Sequence, residues 1–222
     1  MFESAMVYTG LVLALAGAVL AVRPIRRLGV TTRRRGLLIA GSGVLLALIG
    51  LVMPSFESRV SRTATRLDEF APAWQFHERH TIRIAAPPER VYAAVRQVRA
   101  DEILLFRTLT AIRRGGRPLP PGILNPGTRA SLIAVALRGG FVLLAEDVPR
   151  ELVIGTVIAA PPGTRGTLTP QVFRKELPPG FVLATMNFAV AADGPGRSFV
   201  STETRVFANS PAARRTFAAY WR

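Results

Sequence analysis

Side chains able to perform chemistry are few in this 222-residue chain, and histidine is the first type to consider. His77 and His80 are its only histidines. A spacing of three places them on opposite faces of a strand, so they are not expected to share a metal ion. Cysteine is absent, which excludes disulfides, Cys-based zinc sites, iron–sulfur clusters and thiol nucleophiles. The sequence predicts no metal site and no cofactor.

Motifs for nucleophilic or nucleotide chemistry are also missing. No G-x-S-x-G nucleophile elbow occurs. Gly194-Pro195-Gly196 opens like a dinucleotide fingerprint, but it lacks the third glycine and separates two strand-like segments, which predicts a turn. Lys175, the only lysine, follows Arg174 inside a predicted strand and is not part of a phosphate-binding loop.

One pair of charged residues is a candidate for catalysis. Glu203 and Arg205 are two residues apart in a predicted strand and therefore share a face. Thr185 and Asn187 share a face of the preceding strand in the same way. If these faces line a cavity, the pair could orient a ligand carbonyl or act as acid and base. If they face solvent, the pair is a surface salt bridge.

The opposite faces of these two strands are apolar. Val182, Met186 and Phe188 alternate with the polar positions, and their pattern fits either a plain core or the lining of a hydrophobic pocket. A final helix is predicted from Ser210 as N-cap and places Phe217 and Tyr220 on one face. These five apolar or aromatic residues are the candidate ligand-binding residues.

Periodicity and turn signals predict an α+β domain over residues 73–222, after a connector at 56–72. The predicted order is a strand, two short helices, about six strands and a C-terminal helix. The helices are predicted at 88–98, 101–109 and 210–222. The strands are predicted at 76–85, 129–137, 141–148, 151–158, 171–176, 181–191 and 198–208.

Two uncharged stretches of 18 residues precede this domain, at 5–22 and 36–53. Each would rise about 27 Å as a helix, close to the thickness of a bilayer core. Residues 1–55 therefore predict a transmembrane hairpin, in which Gly43 and Gly50 could line one helix face. A buried hairpin of a soluble protein and a cleaved signal peptide are the alternatives, although residues 1–4 lack the basic start of a signal peptide.

The loop between the two stretches, residues 23–35, holds six arginines and no acid. Arginine-rich short loops stay in the cytoplasm, which predicts that both termini and the domain lie outside it. Arg59, Arg62 and Arg66 follow the second stretch and keep the reverse orientation open. Residues 56–222 carry 23 basic and 13 acidic residues, a net charge of +10, spread without interleaved stacking aromatics. A membrane surface or an acidic ligand is expected from this balance, and nucleic acid is not.

Three segments carry a resemblance to a known superfamily. AAPPERVYAAVRQV (85–98), EDVPRELVIGTVI (146–158) and STETRVFANSPAARRTFAAYWR (201–222) resemble the START-like or SRPBCC superfamily, which includes polyketide cyclases and lipid-transfer domains. The resemblance covers residues 73–222. It implies a helix-grip fold, with an antiparallel sheet curved around the C-terminal helix and a hydrophobic pocket between them. The last helix is short for this superfamily, which implies a more open pocket or a truncated C-terminus.

The leading hypothesis is a membrane-anchored START-like domain that binds a hydrophobic small molecule or lipid without chemistry. The alternatives are a cyclase- or hydrolase-like enzyme that uses Glu203 and Arg205, and a regulatory membrane protein that binds another protein. The sequence does not predict an oligomeric state. Arginine-dominated basicity with abundant Ala, Gly and Pro is typical of high-GC bacterial genes, which predicts a bacterial cytoplasmic membrane as the location.

Overall fold

The computed structural model describes residues 2–222 except 26, 28, 114, 119–121, 124, 127 and 128. The chain forms two compact units. The first comprises Met1–Phe56 and Arg215–Arg222, and the second comprises Glu57–Arg214. Positions 26 and 28 of the predicted cytoplasmic loop 23–35 lie outside the described residues.

The first unit contains two long apolar helices, α1 (Phe2–Val22) and α2 (Arg33–Val52). The hydroxyl of Thr32 accepts a hydrogen bond from the Arg35 backbone N–H and caps the start of α2. Both helices are long and apolar enough to cross a membrane. Helices are thus confirmed at both predicted positions, 5–22 and 36–53.

Glycines at a spacing of seven residues line the contact between α1 and α2. A methyl group on Gly17 would overlap the backbone of Ala40, and one on Gly43 would overlap the backbone of Ala14. Small residues of this kind let two helix backbones approach closely. The predicted pair Gly43 and Gly50 is part of a longer buried stripe, which consists of Gly10, Gly17, Gly36, Gly43 and Gly50.

The end of the chain is fixed within the same unit. The Arg222 guanidinium donates to the carbonyl oxygens of Leu51 at 2.7 Å and Met53 at 2.6 Å, and to Ser55 Oγ at 2.9 Å. The last carbonyls of a helix have no intrahelical donors, so a cation there satisfies them and complements the helix dipole. Arg222 therefore stabilises the C-terminal end of α2.

The second unit is built on a five-stranded antiparallel sheet. Its strands, with the short strands β1 (Ser58–Arg59) and β2 (Ala73–Trp74) that pair separately, are β3 (Phe76–Ile84), β4 (Phe141–Asp147), β5 (Glu151–Ala159), β6 (Val182–Ala192) and β7 (Ser198–Ala208). All five sheet strands were predicted to within two residues. Their order in the sheet is β3-β7-β6-β5-β4, so the first pairs with the last, with His77 opposite Arg205.

Short helices accompany the sheet. The predicted helix at 88–98 is confirmed, and the one predicted at 101–109 begins five residues later than expected. The bounds are α3 (Arg66–Phe70), α4 (Pro88–Gln97), α5 (Phe106–Arg113), α6 (Leu132–Arg138) and α7 (Pro211–Trp221). From Arg215 onward, α7 belongs to the first unit.

Two predicted strands are wrong. In place of the strand predicted at 129–137, helix α6 begins at Leu132. Ser131 caps it by accepting from the Ala134 N–H, and Ile133 and Ala136 enter the core. A short apolar run of this kind fits a buried helix as well as a strand. Residues 171–176 are also not a strand. Pro170 begins a 3₁₀ turn over Pro170–Phe173, which brings Phe173 against the sheet at Gly155.

Both faces of the sheet are covered in part. On one face, α4 and α6 pack Val91, Tyr92 and Ile133 against Leu152, Ile154, Val190 and Val200. On the other, α3 and the 3₁₀ turn pack Leu67, Phe70 and Phe173 against Leu144 and Val153. We call the first the apolar face and the second the polar face, since Thr185, Asn187, Glu203 and Arg205 lie on the latter.

Candidate functional site

Arg205 lies at the centre of a polar cluster on the polar face, which comprises Asp68, His77, Glu151, Asn187, Glu203 and Arg205. Its Nη1 donates to Asp68 Oδ1 at 2.7 Å and to the Ala71 carbonyl at 2.9 Å. Its Nε donates to Glu203 Oε1 at 2.6 Å, and its guanidinium carbon lies 4.1 Å from the Trp74 ring centroid. Only 7% of the side chain is exposed, so two carboxylates and an aromatic ring replace its hydration.

His77 is the most exposed member of the cluster. Its Nε2 lies 3.0 Å from Glu203 Oε1, and its side chain is 38% exposed against 12% for Glu203. His80 pairs instead with Glu78, and the strand register places it on the opposite face from His77. The prediction that the two histidines lie on opposite faces is confirmed.

Glu151 joins the sheet to the start of α3. Its Oε2 accepts from the Arg66 N–H at 2.8 Å, and its Oε1 accepts from the Leu67 N–H at 3.2 Å and from Asn187 Nδ2 at 2.6 Å. The first N–H groups of a helix lack intrahelical acceptors, and a carboxylate there also complements the helix dipole. Glu151 therefore acts as a helix cap supplied from β5, 84 residues away from Leu67.

Asp68 performs the matching role from within α3. Its Oδ2 accepts from the N–H groups of Ala64 and Thr65, at 2.8 and 2.9 Å. Burial alone would raise the pKa of Asp68. The two backbone N–H groups and the Arg205 guanidinium stabilise the charged form more, so this pKa lies below its ordinary value. Asp68 is therefore a charged, buried anchor.

The predicted pair Glu203 and Arg205 is in direct contact, and the structure shows which groups surround it. Both side chains are bonded to protein partners and are nearly closed to solvent. The strand register also puts them on the face opposite to Met186 and Phe188. A ligand against those two apolar residues would therefore be separated from the pair by the sheet. The hydrogen bonds and ion pairs of Arg205 with Asp68 and Ala71 indicate a structural role, in which the pair holds residues 64–71 against the sheet.

The predicted apolar residues of β6 lie together on the apolar face. Val182 is buried, whereas Met186 and Phe188 are half-buried and pack at the margin of the core formed with α4 and α6. Phe217 and Tyr220 belong to the other unit. There Phe217 is buried and its ring centroid lies 5.6 Å from that of Tyr220, which is 63% exposed.

A second polar group, not predicted from the sequence, lies where α4 meets β4. The Tyr92 hydroxyl donates to Glu146 Oε1 at 2.8 Å, and Arg96 Nη1 lies 3.2 Å from the same oxygen. Burial, and then the hydrogen bond to Glu146, raise the pKa of Tyr92 well above its ordinary value. The tyrosine therefore remains a neutral donor at any physiological pH.

Asp68 and Glu151 are the cluster members that sequence reasoning missed. The segment Thr65-Arg66-Leu67-Asp68 matches the S/T-x-x-D/E capping pattern and could have identified Asp68. Glu151 had no comparable signal, because its partners Arg66 and Leu67 are distant in the chain and use backbone N–H groups.

No family model matches the chain, and no curated protein matches it either. Among the residues that the structure describes, no group of three or more His, Asp or Glu side chains is arranged to hold a metal ion. Any function assigned to this chain therefore rests on its own residues.

Proposed function

We propose that this chain is a membrane-anchored START-like protein that holds a hydrophobic small molecule or lipid against the apolar face of its sheet. The proposed role is binding, without a chemical step. The apolar face supplies the ligand surface, the polar cluster fixes α3 behind the sheet, and the hairpin of α1 and α2 anchors the chain in the membrane.

The observation that carries the proposal is the unequal cover of the apolar face. Val190 and Val200 are buried beneath α4 and α6, at 3% and 6% exposure. On the same face, Met186 and Phe188 are only half-buried, and Ile82, which pairs with Val200 from the edge strand β3, is 60% exposed. Beside Met186 and Phe188 the face continues into polar side chains, which are Thr202, Thr204, Glu78 and His80. An apolar surface that continues from a closed core into an open region is the usual setting of a hydrophobic ligand site.

The arrangement of elements supports the START-like resemblance. A strand, then helices, then an antiparallel run of strands and a final helix follow one another from residue 76 to 221. The resemblance implies such an order, together with a sheet that curves around the last helix. The helix-grip arrangement that the resemblance implies remains part of the proposal.

The surface of the hairpin supports the anchor. Its outward side chains are large and apolar, with Val12, Leu15 and Leu38 each more than 60% exposed. Such a surface is costly in water and suited to lipid. The arginines of the 23–35 loop favour its cytoplasmic location, which would place the domain outside the cytoplasm of a bacterial cell.

A photo-crosslinking experiment tests the ligand site. The photoreactive amino acid benzoylphenylalanine replaces Phe188 in the full chain, which is expressed in membranes, irradiated and analysed by mass spectrometry. The matched control is Phe207, a half-buried phenylalanine on the polar face of the neighbouring strand. We expect small-molecule or lipid adducts at position 188 and none at position 207.

Two results would contradict the proposal. Equal adducts at both positions would indicate unspecific labelling, and adducts to a single protein at position 188 would favour the protein-binding alternative.

The orientation is tested separately with a reporter protein at the C-terminus. Alkaline phosphatase, which is active only outside the cytoplasm, should be active there, and green fluorescent protein exported in the same position should be dark.

A further inference from the structure

The segment that leads into α5 exposes apolar side chains to solvent. Leu104 is 87% exposed, Leu105 58%, Leu109 59% and Ile112 71%. We name these four residues the leucine patch. On α5 the exposed residues are Leu109 and Ile112 together with Arg107, Thr108 and Arg113, while the half-buried side consists of Phe106, Thr110 and Ala111. Leu109 and Ile112 thus face away from the half-buried side, whereas a surface helix usually packs such side chains into a core.

Two members of the patch share one side of α5. Leu109 and Ile112 lie three residues apart on the helix, and Leu105 directly precedes its first residue. Leu105 has a φ of 60°, a left-handed conformation that is unfavourable for a bulky side chain. The fold tolerates this backbone strain at the point where Leu104 and Leu105 are exposed.

The charge around the patch indicates which partner it fits. Residues 103–145 contain six arginines and not one Asp or Glu, and the exposed Asp101 and Glu102 that precede the patch are paired with Arg99. Arg107, Arg113 and Arg117 are exposed and flank the patch. Leucines surrounded by arginines suit the boundary of an anionic bilayer, where apolar side chains enter the acyl region and guanidinium groups meet phosphates.

We propose that the leucine patch inserts into the surface of the membrane in which α1 and α2 are anchored, with Arg107, Arg113 and Arg117 at the anionic headgroups. This contact rests on the anchoring half of the proposed function and is independent of any ligand on the apolar face. Because the tether keeps the domain near the bilayer, a small patch is sufficient.

Single cysteines test the insertion, since the chain has none of its own. The full chain with Leu104→Cys carries a polarity-sensitive fluorophore and is reconstituted in vesicles of phosphatidylcholine with phosphatidylglycerol. Leu45→Cys, an outward residue of α2, is the positive control, and Arg165→Cys, an exposed loop position, is the negative control. Lipids with a quencher on the acyl chain should quench the probes at positions 104 and 45 and spare the one at 165.

The arginines are tested in the same assay. Replacing Arg107, Arg113 and Arg117 with glutamine should lower the ratio of inserted to free patch by about fivefold per arginine. That effect should vanish in vesicles of phosphatidylcholine alone. If the three arginines instead bound a free anion such as inorganic phosphate, their replacement would leave the lipid quenching at position 104 unchanged, and that result would contradict the proposal.

The remaining outcomes overturn the proposal in distinguishable ways. Quenching at position 45 without quenching at 104 leaves the anchor standing and rejects the contact. A shielded probe at 104 that lipid quenchers do not reach indicates a protein partner or a second copy instead. If positions 45 and 104 both escape quenching, the anchor and the contact fall together, whatever the crosslinking at position 188 shows.

Discussion

Side chains of strands β6 and β7 are covered on both faces of the five-stranded sheet, but by different interactions on each face. On the polar face, Arg205 and its carboxylate partners are bonded to one another and to the backbone of α3. On the apolar face, α4 and α6 cover one end and leave Met186 and Phe188 half-buried. The polar face is therefore closed by hydrogen bonds and ion pairs among its own side chains, whereas the apolar face is closed by helices at one end only.

Removing the charge at the centre of the closed face should give the largest effect. Arg205→Ala leaves the carboxylates of Asp68 and Glu203 buried without their cation, which should lower the free energy of unfolding by about 3–5 kcal/mol. Urea unfolding followed by tryptophan fluorescence measures the change. Arg79→Ala, an exposed arginine on the same face, is the control and should stay within about 0.5 kcal/mol of wild type. A loss below about 1 kcal/mol for Arg205→Ala would contradict this account.

The apolar face should respond differently at its two ends. Leu152 is fully buried under α4 and α6, so Leu152→Ala should cost about 3 kcal/mol of stability. Met186→Ala removes a half-buried side chain and should cost about 1 kcal/mol. The same unfolding experiment compares them, and equal losses would show that the face is closed throughout.

Acid should weaken the closed face through Asp68. Because its pKa in the folded protein lies below its ordinary value, the stability it contributes is fully present above the unfolded pKa near 3.9. That contribution is lost as the pH falls through the lower folded value. Asp68→Asn should cost about 1–3 kcal/mol at neutral pH and flatten the decline of stability below pH 4. An unchanged pH profile in the variant would assign the acid sensitivity to other groups.

The smallest effect is expected at the junction of α4 and β4. Tyr92→Phe removes the hydrogen bond to Glu146 and should cost about 1 kcal/mol. A double-mutant cycle with Glu146→Gln isolates the pair, because the two single changes should not add. Full additivity would mean that the hydroxyl contributes through something other than Glu146.

Much of the sheet was predictable because strand β6 and strand β7 alternate strictly between two faces. Alternation fixes which side chains point the same way, so the shared face of Glu203 and Arg205 followed from spacing alone. The partners that surround these two side chains could not be predicted from the spacing. Arg205 meets Asp68 across 137 residues, and no local pattern links the two.

The errors have a common physical cause. Residues 129–137 are apolar without a clear period, and such a run becomes helix or strand according to what it packs against. The same limit applies to residues 171–176, where Pro170 and the contact of Phe173 with Gly155 decide the conformation. The hairpin was predictable for the opposite reason, since its length and lack of charge leave few alternatives in any context.

The pairing of β3 with β7 also means that the first strand of the sheet is synthesised long before its partner. Phe76 and Val206 are neighbours in the sheet but are 130 residues apart in the chain. At a synthesis rate of about 5–20 residues per second, β3 waits roughly 6–26 seconds for its partner. An unpaired strand is prone to aggregation during such a wait, and β3 carries Glu78, Arg79, His80 and Arg83 along its length. The charges that contribute little to the finished sheet would then serve to keep its first strand soluble until the last one emerges.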